Sequence, residues 1–489
     1  MTAPVSVAVV GGGISGLAAA HRLRTLLGDS AEITVLEQRD RLGGVLHTVD
    51  LAGEPFDVGA EAFLARRPEM PALLREIGLS ASLTHPTAAT ATLRAGGRTV
   101  GLPRGTLMGV PGRGAVLDDV LSEAGLAAVA GEPSRPLHWE PGTDTALGGL
   151  LRARFGPEVV DRIADPLLGG VYAGRVDALG LRATVPALAA ALDAGAPSLT
   201  DAASAAMAAS GQQAGTLAAG PADPSAAGSP ESPPPGPGPV FGAVRGGYRE
   251  VIAALVAASS AHVHTGVTVR ALNRRDTGWR LVLGPVPEPE VLDVDAVVLA
   301  VPAPALRRLL QPVVPRAAAA AGRVELASSA VVALAYRASD VPGLPGTSGC
   351  LVGAGEPLSV KGVTHASTKW AHLGADGLVR IRASIGRHGE EASLQVDDAE
   401  LVARTRADLR TLDGIDAVPI AAHVQRWGGG LPQYGVGHGE TVAALEAAVA
   451  AEPGLAVAGA MLHGVGVPAC VGTARAAAER LVAALPAHG

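Results

Sequence analysis

Short runs of apolar residues, separated by glycine and polar turns, divide the beginning of the chain into regular elements. The apolar run Val5–Val10 leads into a glycine turn, a helical pattern covers Ser15–Leu27, and a second strand-like run spans Glu32–Leu36. A strand, a glycine turn, a helix and a second strand in this order indicate a β-α-β unit. This pattern predicts an α/β fold with a parallel sheet.

The same reasoning predicts elements along the rest of the chain. They are helices over Pro68–Leu79, Tyr248–Ser259 and Ala469–Leu485, a hairpin over Thr90–Leu102, mainly helical structure over Ala146–Met207, and strands near Val263–Val269, Trp279–Leu283, Val291–Val294, Ala296–Val301 and Leu455–Ala458. The run Ala296–Val301 is apolar throughout, which is typical of a parallel strand buried on both faces.

The stretch Gly211–Pro239 differs from its surroundings in composition. It consists mainly of Pro, Gly, Ala and Ser and contains three consecutive prolines. Such a tract has too little apolar surface to compensate the entropy lost on ordering. We therefore predict a disordered insertion between two folded parts of the chain.

Charge and cysteine content exclude several classes of protein. The 489 residues have a formal net charge of −7 and no block of Lys or Arg, so no binding of nucleic acid is predicted. Cys350 and Cys470 are the only cysteines and lie far apart in the sequence. Neither a disulfide framework nor a metal site is predicted, and a reducing cytoplasm is the expected location.

No signal peptide is predicted at the start of the chain, because the first apolar run lacks a basic region before it. A membrane-spanning helix needs about 18 apolar residues. The nearest stretch, Ala317–Ala335, is interrupted by Arg323 and Glu325. No spanning helix is predicted, although the pattern is compatible with peripheral contact with the inner face of a membrane.

The glycine turn after the first strand matches the pattern G-x-G-x-x-G. Its residues, Gly11-Gly12-Gly13-Ile14-Ser15-Gly16, lie where a strand ends and a helix begins. In this pattern the first glycine permits the turn, the second lets the backbone approach a pyrophosphate, and the third allows helix and strand to pack closely. The helix N-terminus adds about half a positive charge near the phosphates. The motif predicts a dinucleotide site.

Residues after the second strand extend this motif. Glu37 lies about 20 residues beyond the glycines, where an acidic residue accepts hydrogen bonds from a ribose hydroxyl. It is followed by Gln38 and by Arg41-Leu42-Gly43-Gly44. The two glycines let the chain pass close to the dinucleotide, and Arg41 adds a charge near phosphate. This continuation resembles the glutathione-reductase-type FAD proteins of the amine oxidase class rather than NAD dehydrogenases.

Two further turns of small residues predict contacts with a flavin ring. Phe56–Glu61 is a strand that ends at Gly59 and Ala60, which leave space beside the ring. Gly464–Cys470 joins a strand to a helix, and its proline suits the first helical turn. Reduced flavin is anionic around N1 and O2, so a helix N-terminus there stabilises the reduced state. A generic strand–helix joint is the alternative interpretation.

Several longer segments narrow the class further. They are Ala60–Pro68, Ala164–Gly174, Leu181–Pro186, Thr368–Trp370, Arg426-Trp427 and Leu431–Tyr434. Together they resemble the bacterial, oxygen-dependent protoporphyrinogen and coproporphyrinogen oxidases, and they span nearly the whole chain. The tract Gly211–Pro239 lies outside the resemblance.

The resemblance implies three structural units. They are a glutathione-reductase-type FAD-binding Rossmann domain (residues 1–80, 240–305 and 431–489), a mixed-sheet substrate domain (within 81–210, and 306–430) and a helical domain (within 81–210). The predicted insertion (211–239) separates two of these segments. Together with the motifs, it implies FAD contacts at Gly11, Gly12, Gly13, Ile14, Ser15, Gly16, Glu37, Gln38, Arg41, Gly43, Gly44, Val45, Gly59, Ala60, Glu61, Ala62, Val269, Trp427, Val465, Gly466 and Val467. Val269 would present its backbone to the adenine. Trp427 fits a flavin contact and a core aromatic equally well.

The resemblance also implies a porphyrinogen substrate, with O2 as the final electron acceptor and H2O2 as a product. No acid or base residue is predicted, because the flavin performs the chemistry. Substrate propionates call for Arg, which binds carboxylates through paired hydrogen bonds. Arg66 and Arg67 are the predicted partners, with solvated surface arginines as the alternative.

Coproporphyrinogen III is favoured as the substrate over protoporphyrinogen IX. Eukaryotic protoporphyrinogen oxidases have an Arg where this chain has Ala91-Thr92-Leu93. More distant alternatives are an amine oxidase or carotenoid-type desaturase, which lack the Pro166–Pro186 pattern, and a non-enzymatic scaffold of the GDP-dissociation-inhibitor type. The glycines of Gly464–Pro468 argue against the scaffold.

Overall fold

A computed structural model describes residues 4–218 and 239–485. The strands in these ranges are β1 (Ser6–Val10), β2 (Glu32–Leu36), β3 (Thr48–Leu51), β4 (Glu54–Asp57), β5 (Phe63–Leu64), β6 (Leu83–Thr84), β7 (Ala91–Ala95), β8 (Arg98–Gly101), β9 (Arg104–Leu107), β10 (Val110–Val116), β11 (Phe241–Val244), β12 (His262–His264), β13 (Val269–Arg274), β14 (Trp279–Leu283), β15 (Glu290–Val294), β16 (Ala296–Leu299), β17 (Leu326–Arg337), β18 (Gly349–Val352), β19 (Val360–His365), β20 (Leu378–Ile385), β21 (Ala421–Pro432) and β22 (Leu455–Val457). The α-helices are α1 (Ile14–Leu27), α2 (Glu69–Glu76), α3 (Glu123–Gly131), α4 (Leu147–Phe155), α5 (Pro157–Val159), α6 (Asp165–Tyr172), α7 (Leu181–Thr184), α8 (Pro186–Asp193), α9 (Leu199–Ala218), α10 (Tyr248–Ser259), α11 (Ala303–Leu310), α12 (Pro315–Ala321), α13 (Ala366–Lys369), α14 (Asp398–Asp413), α15 (His438–Ala450) and α16 (Val467–Ala484).

A parallel sheet with the strand order β12-β2-β1-β16-β22 forms the first unit. Both of its faces are covered, which explains why its strands are apolar at successive positions. Val7 and Val9 point to the face that packs on α1, α10 and α16. Ala8 and Val10 point to the other face, which packs on β13, β14, α11, α12 and α15.

A mixed sheet with the order β21-β17-β20-β19-β18-β7-β8 forms the second unit. Its neighbouring strands are antiparallel except for the parallel pair β7 and β18. Alternation along β17 gives the sheet two different faces. Val332 and Leu334 pack in a core with Leu401 and Leu409 of α14, whereas Val331 packs towards Val58 and Trp427. The second face therefore packs on the β3–β4 hairpin and the segment that follows it.

Helices α3–α9 form a third unit around one apolar cluster. The chain passes through a π-helical turn at Val160–Ala164 directly before α6. Such turns are rare and often occur at functional sites. Asp165, the first residue of α6, forms a buried ion pair with Arg387 after β20, so this helix is held against the mixed sheet.

The mixed α/β fold predicted from the sequence is confirmed, as are most of its elements. The strand predicted over Val263–Val269 is wrong. The chain turns at Gly266, where φ is +72°, so β12 joins the parallel sheet and β13 begins a separate antiparallel sheet.

The first part of the predicted disordered insertion is helical. Helix α9 continues from Leu199 to Ala218, so the segment from Gly211 to Ala218 is helical, and residues 219–238 lie outside the described part of the chain. The six segment boundaries stay a prediction. In the described ranges, no helix combines the length and the apolar character that crossing a bilayer requires.

Candidate active site

A cleft of about 210 Å³ lies at the carboxyl ends of β1, β2 and β16. Ligands bind at this edge in open α/β sheets, outside the ends of the strands. We call it the glycine cleft, and its walls include Gly11, Gly13, Ile14, Ser15, Glu37, Gln38, Gly43, Gly44, Val45, Val269 and Trp427. Eleven residues predicted as FAD contacts from distant parts of the sequence thus meet in one cleft.

The glycines of the first turn have separate tasks. A Cβ atom on Gly11 would lie 2.3 Å from the carbonyl oxygen of Ala300, and one on Gly16 would lie 1.8 Å from that of Gly11. Both positions need glycine for the backbone to pack. For a Cβ on Gly13, the nearest neighbouring atom would be Gly44 Cα, at 3.7 Å. Gly13 therefore leaves open space in the cleft, which suits a pyrophosphate.

Glu37 is buried at the end of β2, with 7% of its surface exposed. Its Oε2 accepts a hydrogen bond from the Gly12 N–H, and its Oε1 accepts one from the Arg39 N–H, both at 2.8 Å. These bonds fix the carboxylate against the glycine turn. A fixed acceptor at this place fits a ribose hydroxyl.

Arg41 shapes the loop beside the cleft and is absent from the described lining. Its guanidinium donates hydrogen bonds to the carbonyl oxygens of Leu42, Gly44 and Leu46 at 3.2, 2.9 and 3.3 Å. Burial lowers the pKa of Arg41, and the neighbouring Arg39 adds to this effect. Arg39 itself lines the cleft and was missed from the sequence.

A second cavity of about 420 Å³, the sheet cavity, adjoins the glycine cleft. The two share Val45, Trp427 and Gly430. Walls of the sheet cavity come from the turn Gly59–Ala62, the mixed sheet, α6 and the turn before α16. Most of its lining is apolar or small, and in the described residues the charged members are Glu61, Lys361 and Arg382.

Trp427 lies between the two cavities and is 6% exposed. Its indole N–H donates a hydrogen bond to the carbonyl oxygen of Val58 at 2.9 Å, and the Arg41 guanidinium lies 5.6 Å from the ring centre. The ring thus ties β21 to the strand that leads into the Gly59 turn. Trp427 packs in a core and also lines the glycine cleft, so its contact with a flavin stays a prediction.

The C-terminal glycine turn is held by Tyr434. Its hydroxyl accepts a hydrogen bond from the Gly464 N–H at 2.8 Å and donates one to the carbonyl oxygen of Ala460 at 2.5 Å. Helix α16 then begins at Val467 with Gly466 as its cap. Val465 and Gly466 line the sheet cavity, whereas Val467 is buried in the core of the parallel-sheet unit.

Arg66 and Arg67 do not line either cavity. Both are exposed in the turn between β5 and α2, and Arg67 pairs with Glu69. This placement favours the surface alternative for the two arginines, and their contact with propionates stays a prediction. The cations that do line the sheet cavity, Lys361 and Arg382, lie on central strands of the mixed sheet. Nothing in their local sequence pattern indicated this position.

Glu61 connects the turn Gly59–Ala62 to the mixed sheet. Lys369 Nζ donates a hydrogen bond to its carboxylate, and Arg382 Nη1 lies 3.7 Å away. Burial raises the pKa of Glu61, but Lys369 and Arg382 outweigh that effect, so the pKa falls below its ordinary value. Arg382 also donates to the carbonyl oxygens of Asp57 and Gly59, which fixes the turn below the cavity.

Comparisons with known proteins agree with this geometry. The family model for flavin-containing amine oxidoreductases matches residues 14–482. A relative from Mycobacterium tuberculosis named coproporphyrinogen III oxidase is 43% identical over 99% of both chains, and one from Bacillus subtilis with the same name is 27% identical over 96% of both. A solved structure from Exiguobacterium, named as a protoporphyrinogen oxidase, has a TM-score of 0.80 at 27% identity over 98% of both chains. Putrescine oxidase, at 17% identity and a TM-score of 0.67, shares the fold.

The chain therefore belongs to the family of flavin-containing amine oxidoreductases. Within that family it groups with the bacterial relatives named coproporphyrinogen III oxidase. The predicted family, the oxidoreductase activity and the FAD cofactor are confirmed. The individual FAD contacts stay predictions, supported by the lining of the glycine cleft.

Proposed function

We propose that the protein oxidises coproporphyrinogen III to coproporphyrin III for haem synthesis. The observation that carries this proposal is the 43% identity over 99% of the chain with relatives of that name. The sheet cavity supports it, because about 300–1,000 Å³ is the usual size of a small-molecule site. Its position beside the glycine cleft would bring a bound substrate next to FAD held in that cleft.

Bound FAD supplies the acceptor for the electrons that the substrate loses. Coproporphyrinogen III loses six hydrogen atoms in three cycles, and we propose that three O2 molecules are reduced to three H2O2. The residues of the chain orient the macrocycle and exclude water. Val331, Leu351 and Val363 offer apolar contacts to its rings.

The alternative substrate, protoporphyrinogen IX, has two propionates instead of four. The segment Ala91–Ala95 forms β7 of the mixed sheet, and its residues Ala91, Thr92 and Leu93 have no charge that would match a defined pair of propionates. This supports the tetracarboxylate substrate.

We further propose a cytoplasmic location, with peripheral contact with the inner face of the membrane left as a prediction. Cys350 and Cys470 are both buried and unpaired, as expected in a reducing compartment.

We expect kcat/KM for coproporphyrinogen III to exceed that for protoporphyrinogen IX by at least about tenfold, since one retained charge-assisted contact contributes about 1.5–3 kcal/mol. Steady-state assays that follow porphyrin fluorescence test this preference. Anaerobic mixing with each porphyrinogen should bleach the flavin absorbance, and readmitted O2 should restore it with formation of H2O2. Equal or better turnover of protoporphyrinogen IX would favour the alternative substrate, and no bleaching with either would refute the proposal.

A further inference from the structure

Lys361 is an unusual residue both in the sequence and in the fold. Of the 39 Lys and Arg residues in the chain, only Lys361 and Lys369 are lysines. The composition strongly favours arginine, yet both lysines lie at the sheet cavity: Lys361 lines it, and Lys369 pairs with the lining residue Glu61. Arginine and lysine differ in shape and in pKa, so a position that keeps lysine in such a chain indicates a need for a compact ammonium.

A β-bulge turns Lys361 towards the cavity. In the pairing of β19 with β20, Val360 lies opposite Ile385 and Gly362 lies opposite Ser384, so the register shifts at Lys361. A bulge inserts one residue that has no partner in the ladder, and bulges near active sites redirect a side chain. The bulge here puts a cation on the wall of an otherwise apolar cavity.

Lys361 lacks a carboxylate partner in the described part of the chain. Only 7% of the residue is exposed, and Nζ donates one hydrogen bond there, to the carbonyl oxygen of Gly386 at 2.9 Å. An ammonium has three donors, so two remain for a ligand. Burial lowers the pKa of Lys361 to about 7, helped by Arg387 and Arg382 and opposed by Glu390.

The charges around the cavity leave a site for an anion. Glu61, the acidic member of the described lining, is already paired with Lys369 and Arg382. Arg382 uses its donors on the Asp57 and Gly59 carbonyls. Asp165, the carboxylate on the neighbouring helix α6, pairs with Arg387. Of the two cations in the described lining, Lys361 is therefore the one without a carboxylate within ion-pair distance.

We infer that Lys361 binds a carboxylate of the substrate and sets the preference for a tetracarboxylate macrocycle, an inference that rests on the proposed function. The neutral amine is compatible with an empty apolar cavity, and the arriving carboxylate stabilises the ammonium by a charge-assisted hydrogen bond.

Binding of coproporphyrin III, the stable oxidised product, to the FAD-loaded protein tests the inference. Fluorescence titrations would compare wild type with K361M, K361R and the control R98M, which removes a charge from the exposed edge strand β8 of the same sheet. We expect K361M to raise Kd at least about tenfold and R98M to leave it unchanged. The uncharged tetramethyl ester should bind wild type and K361M equally.

The pH dependence provides a second measurement. The ammonium is needed for the carboxylate contact, so Kd of wild type should be constant between about pH 6 and pH 7, where the propionates are ionised. It should rise by up to about tenfold per pH unit above pH 7, because binding then requires uptake of one proton. The rise should vanish in K361M, and K361R should keep its affinity at high pH because guanidinium stays charged.

The thermal stability separates this role from a structural one. Replacing a buried cation by a methionine of similar volume is often neutral or stabilising, so K361M should keep its Tm and its flavin content. Unchanged Kd in K361M, or a flat pH profile in wild type, would overturn the inference. If wild type binds coproporphyrin III through Lys361 but fails to oxidise coproporphyrinogen III, the anion site stands and the proposed function fails.

Discussion

Replacing Gly13 with valine is expected to leave a folded protein that purifies almost without flavin. Gly13 has φ −75° and ψ 179°, a conformation that valine adopts readily. A Cβ at this position meets no atom closer than Gly44 Cα at 3.7 Å. The branched side chain would instead fill the space through which a pyrophosphate approaches the backbone.

The ratio of flavin absorbance to protein absorbance, together with the Tm of the apoprotein, measures this effect. G101V serves as the matched control, because Gly101 lies in the extended edge strand β8 and a Cβ there meets no atom within 4 Å. It should retain full flavin. G16A should instead damage the fold itself, since its Cβ would lie 1.8 Å from a backbone oxygen. Stoichiometric flavin in G13V would contradict the assignment of the turn.

Removing the carboxylate of Asp165 should cost about 3–5 kcal/mol of unfolding free energy, the usual penalty for leaving one member of a buried ion pair alone. Asp165 Oδ2 accepts a hydrogen bond from Arg387 Nη1 at 3.3 Å, and Oδ1 accepts one from the Val176 N–H at 3.0 Å. Arg387 also donates to the carbonyl oxygen of Val352. In D165A the guanidinium would stay buried without its anion, and α6 would lose its anchor on the mixed sheet.

A second ion pair, Arg175 with Glu390, joins the same two segments at the surface. Its side chains are 48% and 38% exposed, so E390A should cost less than about 1 kcal/mol. Urea unfolding of both variants measures the two free energies. Similar costs for D165A and E390A would show that burial does not set the strength of the interaction here.

Local sequence was sufficient to predict the nucleotide-binding part of the fold. The strand, glycine turn and helix from Val5 to Leu27 are adjacent in sequence. The spacing of the glycines in this turn is sufficient to predict which steric requirement each of them meets. The break between β12 and β13 was not predicted, because polar and apolar residues alternate on both sides of Gly266 while the backbone changes direction there. Likewise, helix α9 extends beyond Gly211 although the composition there favours disorder.

The charged residues of the sheet cavity show why the rest could not be predicted. Arg66 and Arg67 follow a turn that approaches the flavin side, and their sequence position gave no information on which way they point. Lys361 lies in a segment without a recognisable motif, and its orientation depends on a bulge that only the pairing of β19 with β20 defines. The positions of these side chains depend on pairing between segments that are distant in sequence, so local sequence patterns cannot predict them.

The order of strands in the parallel sheet has a consequence for how the protein is made. β1 lies in the middle of the sheet between β2 and β16, and β16 in turn pairs with β22, whose residues are synthesised long after β1. Pairing between such distant segments is slow and leaves apolar edges exposed meanwhile. Because Trp427 and Cys470 also line the glycine cleft, the walls of this cleft are complete only after these late segments leave the ribosome. Capture of the cofactor is therefore expected only after β21 and α16 have been synthesised.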